Sequence, residues 1–310
     1  MPLTNFPNGV SSFGVPVLGG SSIPTTTGTT FFVDSATGND VSVSGTKDKP
    51  FATLDYAVGK CTANKGDIII LMPNHSENLA TAGALTLDVA GLTVVGLGEG
   101  NQRPTLTHTA DAADINITGA DTTLRNLLII SNTADVTVSM DIDALDVWLD
   151  GIEWREGPSL CFVDIIVTGA DNICDGLKIT SCKCIGADAA NDSFLNTEAG
   201  DIDRCVIVGN YLALSVATTE PIIEVTGKSL TNCVVTHNFA VRLNESGVPF
   251  LDTDQTDNSG IVAYNLISSD DDDAATPIAC AGASMFENYQ MGENGIDASG
   301  LLLPAVDNNA

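Results

Sequence analysis

Basic residues are scarce in this 310-residue chain. It contains 12 Lys and Arg against 40 Asp and Glu, a formal net charge of −28 at pH 7. Nucleic acids are bound through clusters of Lys and Arg, so the imbalance excludes nucleic acid as a partner and disfavours a tightly held anionic polysaccharide. Because charged residues make up 17% of the chain, we predict a sparsely charged but acidic surface that keeps particles apart.

Long apolar runs are also missing. No stretch reaches the ~18 apolar residues that a membrane-spanning helix needs. The N-terminal sequence MPLTNFPNGVSSFGVPVLGG has no basic segment followed by an apolar one, so it does not read as a secretory signal. We therefore expect no membrane insertion and synthesis in the cytoplasm.

Recognisable metal and redox patterns are lacking. The eight cysteines do not form the dense framework of a small disulfide-rich protein, and the pair Cys182 and Cys184 has no nearby histidine or second pair. We expect buried free thiols, no metal site and no cofactor. His75, His108 and His237 are scattered, and we assign them surface or stacking roles.

One short phrase, by contrast, recurs through the middle of the chain. CDGLKITS (174–181), DRCVIVGN (203–210), TNCVVTHN (231–238) and NSGIVAYN (258–265) share an alternation of period two closed by Ser or Asn. Aligned repeats open at intervals of 24 to 29 residues, at Asn126, Asp150, Asp175, Arg204, Asn232 and Ser259. An aliphatic column stands two residues after each opening and is predicted to form the core ladder: Leu128, Ile152, Leu177, Val206, Val234 and Ile261.

These repeats predict stacked coils. A strand that ends in a turn and recurs at roughly 25–28 residues is typical of a solenoid, because one coil cannot bury its inward face alone. Matching residues such as Cys205 and Cys233, or Asn210 and Asn238, then stack on one another. The two-residue period excludes helical solenoids, so the sequence predicts an all-β parallel β-helix.

A short amphipathic helix precedes the coils. In FATLDYAVGKC (51–61), Leu54, Ala57, Val58 and Cys61 share one helical face, and Thr53 is a suitable N-cap. The strand GDIIILMP (66–73) follows. We expect this helix to cover the open end of the first coil.

The segment FFVDSATGNDVSVSGTKDKPFATLDYAV (31–58), followed by GDIIILMPN, resembles the opening of pectate-lyase-like proteins. Their strand ending in Val-Asp, Gly-x-Asp turn, Pro-Phe-x-Thr-Leu helix start and Gly-Asp-x-Ile strand are all present. This resemblance, over roughly residues 31–270, implies a right-handed parallel β-helix. TNFPNGVSSFGVPV (4–17) and GIDASGLLLPAVD (295–307) resemble segments of tailed-bacteriophage structural proteins. In those phages the fold implies trimeric tailspikes, fibres or capsid decorations.

Four segments follow from these patterns. Residues 1–30 form an extended N-terminal arm, 31–80 the N-terminal cap, 81–270 the coils and 271–310 a closing segment. Prolines forbid a helix in the arm, and its apolar side chains cannot build a core, so we expect them to dock into a capsid or other head protein. The predicted anchoring residues are Phe6, Pro7, Phe13, Val15, Pro16 and Val17.

The search for catalytic residues identifies none. Glu153 and Glu156 are a chance pair among many acids. Trp154 lies in an inward column, which favours core packing over a sugar platform; Trp148 is not assigned to either role, and a subunit interface stays open for both tryptophans. The run SSDDDDAATP (268–277) lacks the spacing of a calcium loop, so we expect a solvated turn. We predict a non-catalytic homotrimeric virion protein on the outer capsid surface that adheres weakly to host glycans. A polysaccharide-cleaving tailspike and a receptor-binding tail protein stay open as alternatives.

Overall fold

The structure is a computed structural model. It describes residues 26–157, 160–186, 193–197, 199–214, 221–225, 227–242, 249–253, 255–269, 278–292 and 300–302, together with the pairs 11–12 and 15–16. Nearly every element is a β-strand, and almost all strand pairs are parallel. Three long sheets contain most of the strands.

Sheet 1 contains ten strands that stack in chain order: β3 (Thr30–Val33), β4 (Ile68–Leu71), β7 (Thr93–Gly96), β10 (Thr123–Arg125), β13 (Trp148–Asp150), β16 (Lys178–Thr180), β20 (Val206–Val208), β24 (Cys233–Thr236), β27 (Gly260–Ala263) and β30 (Ser284–Phe286).

Sheet 2 also contains ten strands, the last of them antiparallel: β5 (Ser76–Leu79), β8 (Thr105–His108), β11 (Leu128–Ser131), β14 (Glu153–Arg155), β17 (Lys183–Ile185), β21 (Tyr211–Leu214), β25 (Phe239–Arg242), β28 (Leu266–Ser269), β31 (Asn288–Gly292) and β32 (Gly300–Leu302).

Sheet 3 contains eight strands: β6 (Leu85–Leu87), β9 (Ile115–Ile117), β12 (Val136–Ile142), β15 (Phe162–Thr168), β18 (Ser193–Asn196), β22 (Ile223–Glu224), β26 (Leu251–Thr253) and β29 (Ile278–Cys280). Two minor pairs complete the strands: β1 (Ser11–Ser12) with β2 (Val15–Pro16), and β19 (Ile202–Asp203) with β23 (Leu230–Thr231).

The chain visits the three sheets in turn, and each strand pairs with its counterpart one coil later. From β4 to β29 the described strands form eight such coils. This topology is a parallel β-helix, so the predicted fold class is confirmed. One inward column of sheet 1 shows the regularity, because its members pair in unbroken register and are apolar throughout: Ile69, Val94, Leu124, Leu149, Ile179, Ile207, Val235, Val262 and Met285.

The predicted core ladder is wrong in register. Val206 pairs with Lys178 and with Val234, and Val234 pairs with Ile261, on the outward side of sheet 1. Val206 and Val234 are half-buried, and Ile261 is 41% exposed. Side chains alternate between the two faces of a strand, so an offset of one residue exchanges core and surface.

The other three members of that ladder are buried but do not share a column. Ile152 and Leu177 lie in the interior at 0% exposure. Leu128 is 4% exposed and pairs with Thr105 and Glu153 in sheet 2. The alignment failed because both faces of several sheet 1 strands are apolar, which removes the usual contrast between inward and outward residues.

A left-handed residue forms the corner between sheets 1 and 2. In seven consecutive coils the residue that follows the sheet 1 strand has a positive φ, between 49° and 69°: Asn126, Gly151, Ser181, Gly209, His237, Tyr264 and Glu287. This conformation redirects the chain within one residue. At these seven corners the next residue therefore points inward, at or just before the start of the sheet 2 strand.

That inward corner position changes from apolar to amide along the helix. Leu127, Ile152 and Cys182 occupy it first, and Asn210, Asn238, Asn265 and Asn288 follow, all buried. The Nδ2 atoms of the first three asparagines each donate to the Oδ1 atom of the next, at 2.9 to 3.0 Å. Each backbone N–H donates to the same oxygen. The predicted stacking of Asn210 and Asn238 is confirmed, and the asparagine ladder has four members.

The helix α1 (Leu54–Val58) closes the N-terminal end of the stack. Thr53 is its N-cap, and Leu54, Ala57 and Val58 are buried against β3, β4 and β6, as predicted. Glu77 of β5 accepts hydrogen bonds from the Leu54 backbone N–H and from His75. His75 is fully buried here, which corrects its assignment as a surface residue.

His108 is also buried, again contrary to expectation. Its Nε2–H donates to the Ser139 carbonyl at 3.2 Å, and its ring packs edge-on against Phe162 at 5.2 Å. Burial disfavours the charged imidazolium and lowers the pKa of His108 from 6.5 to about 4, while the two carbonyls it faces and Asp114 oppose that shift. The folded protein therefore holds a neutral imidazole in its core.

We predict that replacing one rung of the asparagine ladder is costly. Asn238→Leu removes the acceptor for the Asn210 amide and backbone N–H, both of which stay buried. Unsatisfied buried donors cost roughly 1–3 kcal/mol each, so the free energy of unfolding should fall by about 3 kcal/mol. Urea unfolding measures it, with Asn132→Leu at an exposed turn as the matched control. Equal losses in the two variants would show that the ladder contributes nothing.

We also predict an acid sensitivity that originates at His108. The unfolded chain takes up a proton at this side chain below pH 6.5, whereas the folded chain resists until about pH 4. The contribution of the neutral His108 side chain to stability is therefore fully present above pH 6.5 and is lost as the pH falls toward 4. Between pH 7 and 4.5 the wild type should lose about 2 kcal/mol more than His108→Gln. A pH series of urea unfolding curves tests this, and parallel curves for the two proteins would contradict it.

Candidate functional site

The carboxylates singled out in the sequence are engaged in structural contacts. Glu153 is 7% exposed, and its two oxygens contact Arg155 Nε at 2.6 Å and Arg103 Nη1 at 3.0 Å. Glu156 accepts a hydrogen bond from the Phe162 backbone N–H at 2.8 Å. Both carboxylates therefore have structural partners in the fold.

Acidic residues are rare on sheets 1 and 2. The 20 strands of these sheets contain three of them, Asp150, Glu153 and Glu77. Asp150 is paired with Arg125, Glu153 with two arginines, and Glu77 with His75. Four acids, in contrast, lie in the eight strands of sheet 3, and Glu224 stands directly opposite Asp252 there. The acidity expected of the surface is thus unevenly distributed.

Exposed apolar side chains concentrate on the C-terminal coils of sheets 1 and 2 and at the corner between them. We call this surface the apolar patch; its members are 41% to 50% exposed: Tyr211, Ile261, Tyr264, Phe286, Tyr289, Met291 and Leu301. Tyr264 stacks on His237 at 5.0 Å and meets Phe286 edge-on at 5.5 Å. Tyr211 stacks on Phe239 at 5.3 Å. Large apolar side chains that remain exposed in a contiguous group usually mark a contact surface.

A cleft lies at the same corner but toward the N-terminal end. Residues 97–104 connect β7 to β8 and include a short 3₁₀ turn, Gly100–Gln102. We call this segment the corner loop, and the cleft between it and the next two coils the corner cleft. The cleft has a volume of about 600 Å³. Its lining comprises Val95, Gly96, Leu97, Gly98, Glu99, Gln102, Arg125, Asn126, Asp150 and Gly151.

The corner loop is fastened across two coils. Asn126 donates from Nδ2 to the carbonyls of Gly96 and Gly98, at 2.8 and 3.0 Å. Arg103, at the far end of the loop, reaches Glu153 of β14. The loop therefore holds the cleft open as a fixed part of the fold.

Four side chains next to the cleft form one polar network. Arg125 donates from Nε and Nη2 to Asp150 Oδ2 at 2.9 and 2.8 Å. Thr180 donates to Asp150 Oδ1 at 2.9 Å, and Trp148 Nε1 donates to Thr180 Oγ1 at 2.8 Å. The Arg125 guanidinium also lies over the Trp148 ring, 5.6 Å from its centroid. Trp148 is 36% exposed, so it is a surface residue with a fixed orientation.

All eight thiols are free, and seven of them are buried. Desolvation raises the pKa of Cys182 and of Cys205 to about 12, so both stay protonated and unreactive. The expectation of buried free thiols is confirmed for all but Cys61, which is half-buried. Among the described residues no helix combines the length and apolar character needed to cross a bilayer.

Several predicted features lie outside the described residues. Of the arm, the structure describes residues 26–30 and the backbone of the β1–β2 pair, so the predicted anchoring side chains, Phe6, Pro7, Phe13, Val15, Pro16 and Val17, are untested. The aspartates at 270–273 also lie outside. The corner cleft, in contrast, was not predicted from the sequence. Its residues come from three coils and carry no shared motif.

No family model and no curated protein matches this sequence. Among solved structures, a rhamnogalacturonan lyase aligns with a TM-score of 0.43 and 13% identity, over 79% of this chain and 75% of the lyase chain. An alignment this weak carries no argument about activity. The parallel β-helix rests on the strand pairing described above.

Proposed function

We propose that the protein is a non-catalytic structural protein that assembles side by side into a homotrimer and decorates the outside of a phage capsid. The observation that carries this proposal is the apolar patch, which spans two adjoining sheets that are poor in acid. The N-terminal arm is the proposed anchor to a capsid or other head protein.

Electrostatics favours this surface as the contact between copies. Two chains of −28 each repel one another, so they can approach only where carboxylates are absent or neutralised. Stacking of coils does not by itself exclude acids from a sheet, because Glu224 and Asp252 are neighbours in sheet 3. The scarcity of acids on sheets 1 and 2 is therefore best explained by contact with another copy.

The geometry of the patch fits a closed ring. Its members lie on both sides of the corner at His237 and Tyr264, so each chain offers two adjoining faces. Sheet 1 of one copy can then pack on sheet 2 of the next, a head-to-tail contact that closes by rotation. The resemblance to phage β-helix proteins supports three copies around the axis.

The alternative of a polysaccharide-cleaving tailspike has less support. A glycosidase needs two carboxylates that are free to act on the scissile bond. Asp150 and Glu99 are the carboxylates that line the corner cleft. Asp150 is already engaged by Arg125 and Thr180.

We predict that a charge placed in the apolar patch dissociates the trimer. Ile261→Asp inserts a carboxylate into the proposed contact. Ile173→Asp places a carboxylate on a turn outside the apolar patch, where the side chain is exposed to nearly the same extent, 40% against 41%. Sedimentation analysis should give three times 32.1 kDa for the wild type and Ile173→Asp, and a monomer for Ile261→Asp. Circular dichroism verifies that both variants fold. A monomeric wild type, or identical masses for both variants, would refute the proposal.

We further predict that deleting residues 2–20 abolishes attachment and leaves the trimer intact. The apolar arm residues would otherwise dock in a groove of the capsid. Purified full-length and truncated proteins are mixed with virus particles that lack the protein, and the particles are imaged. Full-length protein at regular shell positions, with none for the truncated form, is the expected result. Attachment only at the tail, or attachment without the arm, would contradict it.

A further inference from the structure

The corner loop is an exception in a regular structure. At the described corners between sheets 1 and 2 from β10 to β28, two residues connect the strands, as between Arg125 and Leu128. Between Gly96 and Thr105 there are eight. In repeat proteins, an insertion into one coil commonly forms part of the binding face. The corner loop therefore indicates a binding face, and the cleft beside it is the candidate ligand site.

We propose that the corner cleft, together with Trp148 and the Arg125–Asp150 pair, is a binding site for a neutral saccharide. The inference deepens the proposed function, because a capsid decoration with such a site would adhere to glycans on the host surface. The site does not depend on the trimer, since the apolar patch lies on the C-terminal coils and the cleft on coils closer to α1.

The polar groups at the cleft match the chemistry of sugar hydroxyls. A hydroxyl both donates and accepts, so adjacent hydroxyls are recognised by a donor and an acceptor placed side by side. Arg125 and Asp150 supply such a pair, and their side chains are 34% and 18% exposed. Gln102, on the opposite wall, adds an amide that can do both. The contacts between Arg125 and Asp150 fix the geometry of this pair before a ligand arrives, which reduces the entropy lost on binding.

Trp148 supplies the apolar half of the site. The C–H face of a sugar ring packs on an aromatic ring, and the indole combines a large apolar surface with a polar N–H. That N–H is engaged by Thr180, and the guanidinium of Arg125 lies over the ring. The exposed part of the ring is therefore held at the border of the cleft, where a sugar bound to Arg125 and Asp150 would reach it.

Size and charge select the ligand class. A volume of about 600 Å³ lies within the usual range for small-molecule sites and accommodates a short oligosaccharide. The ionisable side chains of the lining are Glu99, Asp150 and Arg125, a net negative set on a protein of −28. Phosphate, sulfate and uronate groups are thereby disfavoured. A neutral glycan has no such penalty.

The test is a glycan array that presents neutral oligosaccharides of glucose, galactose, mannose and N-acetylglucosamine beside uronate-containing and sulfated ones. The best neutral oligosaccharide is then titrated while tryptophan emission is recorded. The chain has two tryptophans, and Trp154 is fully buried, so a change in emission reports on Trp148.

Two variants and one control locate the site. Trp148→Ala and Arg125→Met should each weaken binding about tenfold or more, the loss expected for an aromatic contact or a charge-assisted hydrogen bond. Arg204→Met is the control, because Arg204 forms a comparable ion pair with Asp203 at the end of β19, outside the corner cleft. It should bind as the wild type does.

The outcomes separate this site from the proposed function. Binding of a neutral glycan that is lost in both variants and retained in the control supports the site, whatever mass sedimentation gives. Release of shorter sugar products would also support the site, although it would refute the non-catalytic role. The inference is overturned by binding confined to anionic glycans, by no neutral binding at ~10 mM, a concentration that detects even very weak affinity, or by neutral binding that Trp148→Ala leaves unchanged.

Discussion

The whole structure depends on one constraint: each coil lies in register on the next, at a spacing of about 4.8 Å. Every side chain therefore packs on its counterpart, and a column accepts only residues that tolerate their own kind at that distance. Aliphatic residues do so by dispersion, and asparagines do so by donating along the column, as Asn210 and Asn238 do. Carboxylates stacked at this distance repel one another, so they stack only at a cost, as Glu224 and Asp252 do in sheet 3.

Many of the acids lie where this repulsion is compensated. In the turns, backbone N–H groups of the next coil point at the carboxylates. The N–H of Asp201 donates to Asp171, and the N–H of Asp203 donates to Asp175. Side-chain donors from Asn232 and Thr231, together with Arg204, lower the pKa of Asp203 despite its exposure. Negative charge is thus placed where the backbone can compensate it, and sheets 1 and 2 are left free for other contacts.

The sequence was sufficient to predict the solenoid, the cap and the asparagine stacking, because these follow from local periodicity and from Thr53, Leu54 and their neighbours. It was not sufficient to predict register. In DRCVIVGN (203–210) all of Cys205, Val206, Ile207 and Val208 are apolar, so alternation does not show which pair points inward. The structure places Cys205 and Ile207 inside.

The corner cleft was beyond prediction for a related reason. Thr93 and its pairing partner Thr123 are 30 positions apart, but so are Trp148 and Lys178, so the spacing of the coils does not reveal the insertion. Arg103 meets Glu153 and Arg125 meets Asp150 only once the register is known. A site assembled from three coils has no motif in the linear sequence.

The reversed direction of β32 has a consequence for how such molecules can grow. A free end of a parallel β-helix is a template on which another coil could add, and a row of such ends would allow fibres to form. At the C-terminal end, β32 runs antiparallel to β31 and occupies that edge of sheet 2. At the other end, α1 packs over the first coil. End-to-end addition of coils is thereby opposed at the α1 end and, at the other end, along the edge of sheet 2, which favours separate particles over fibres.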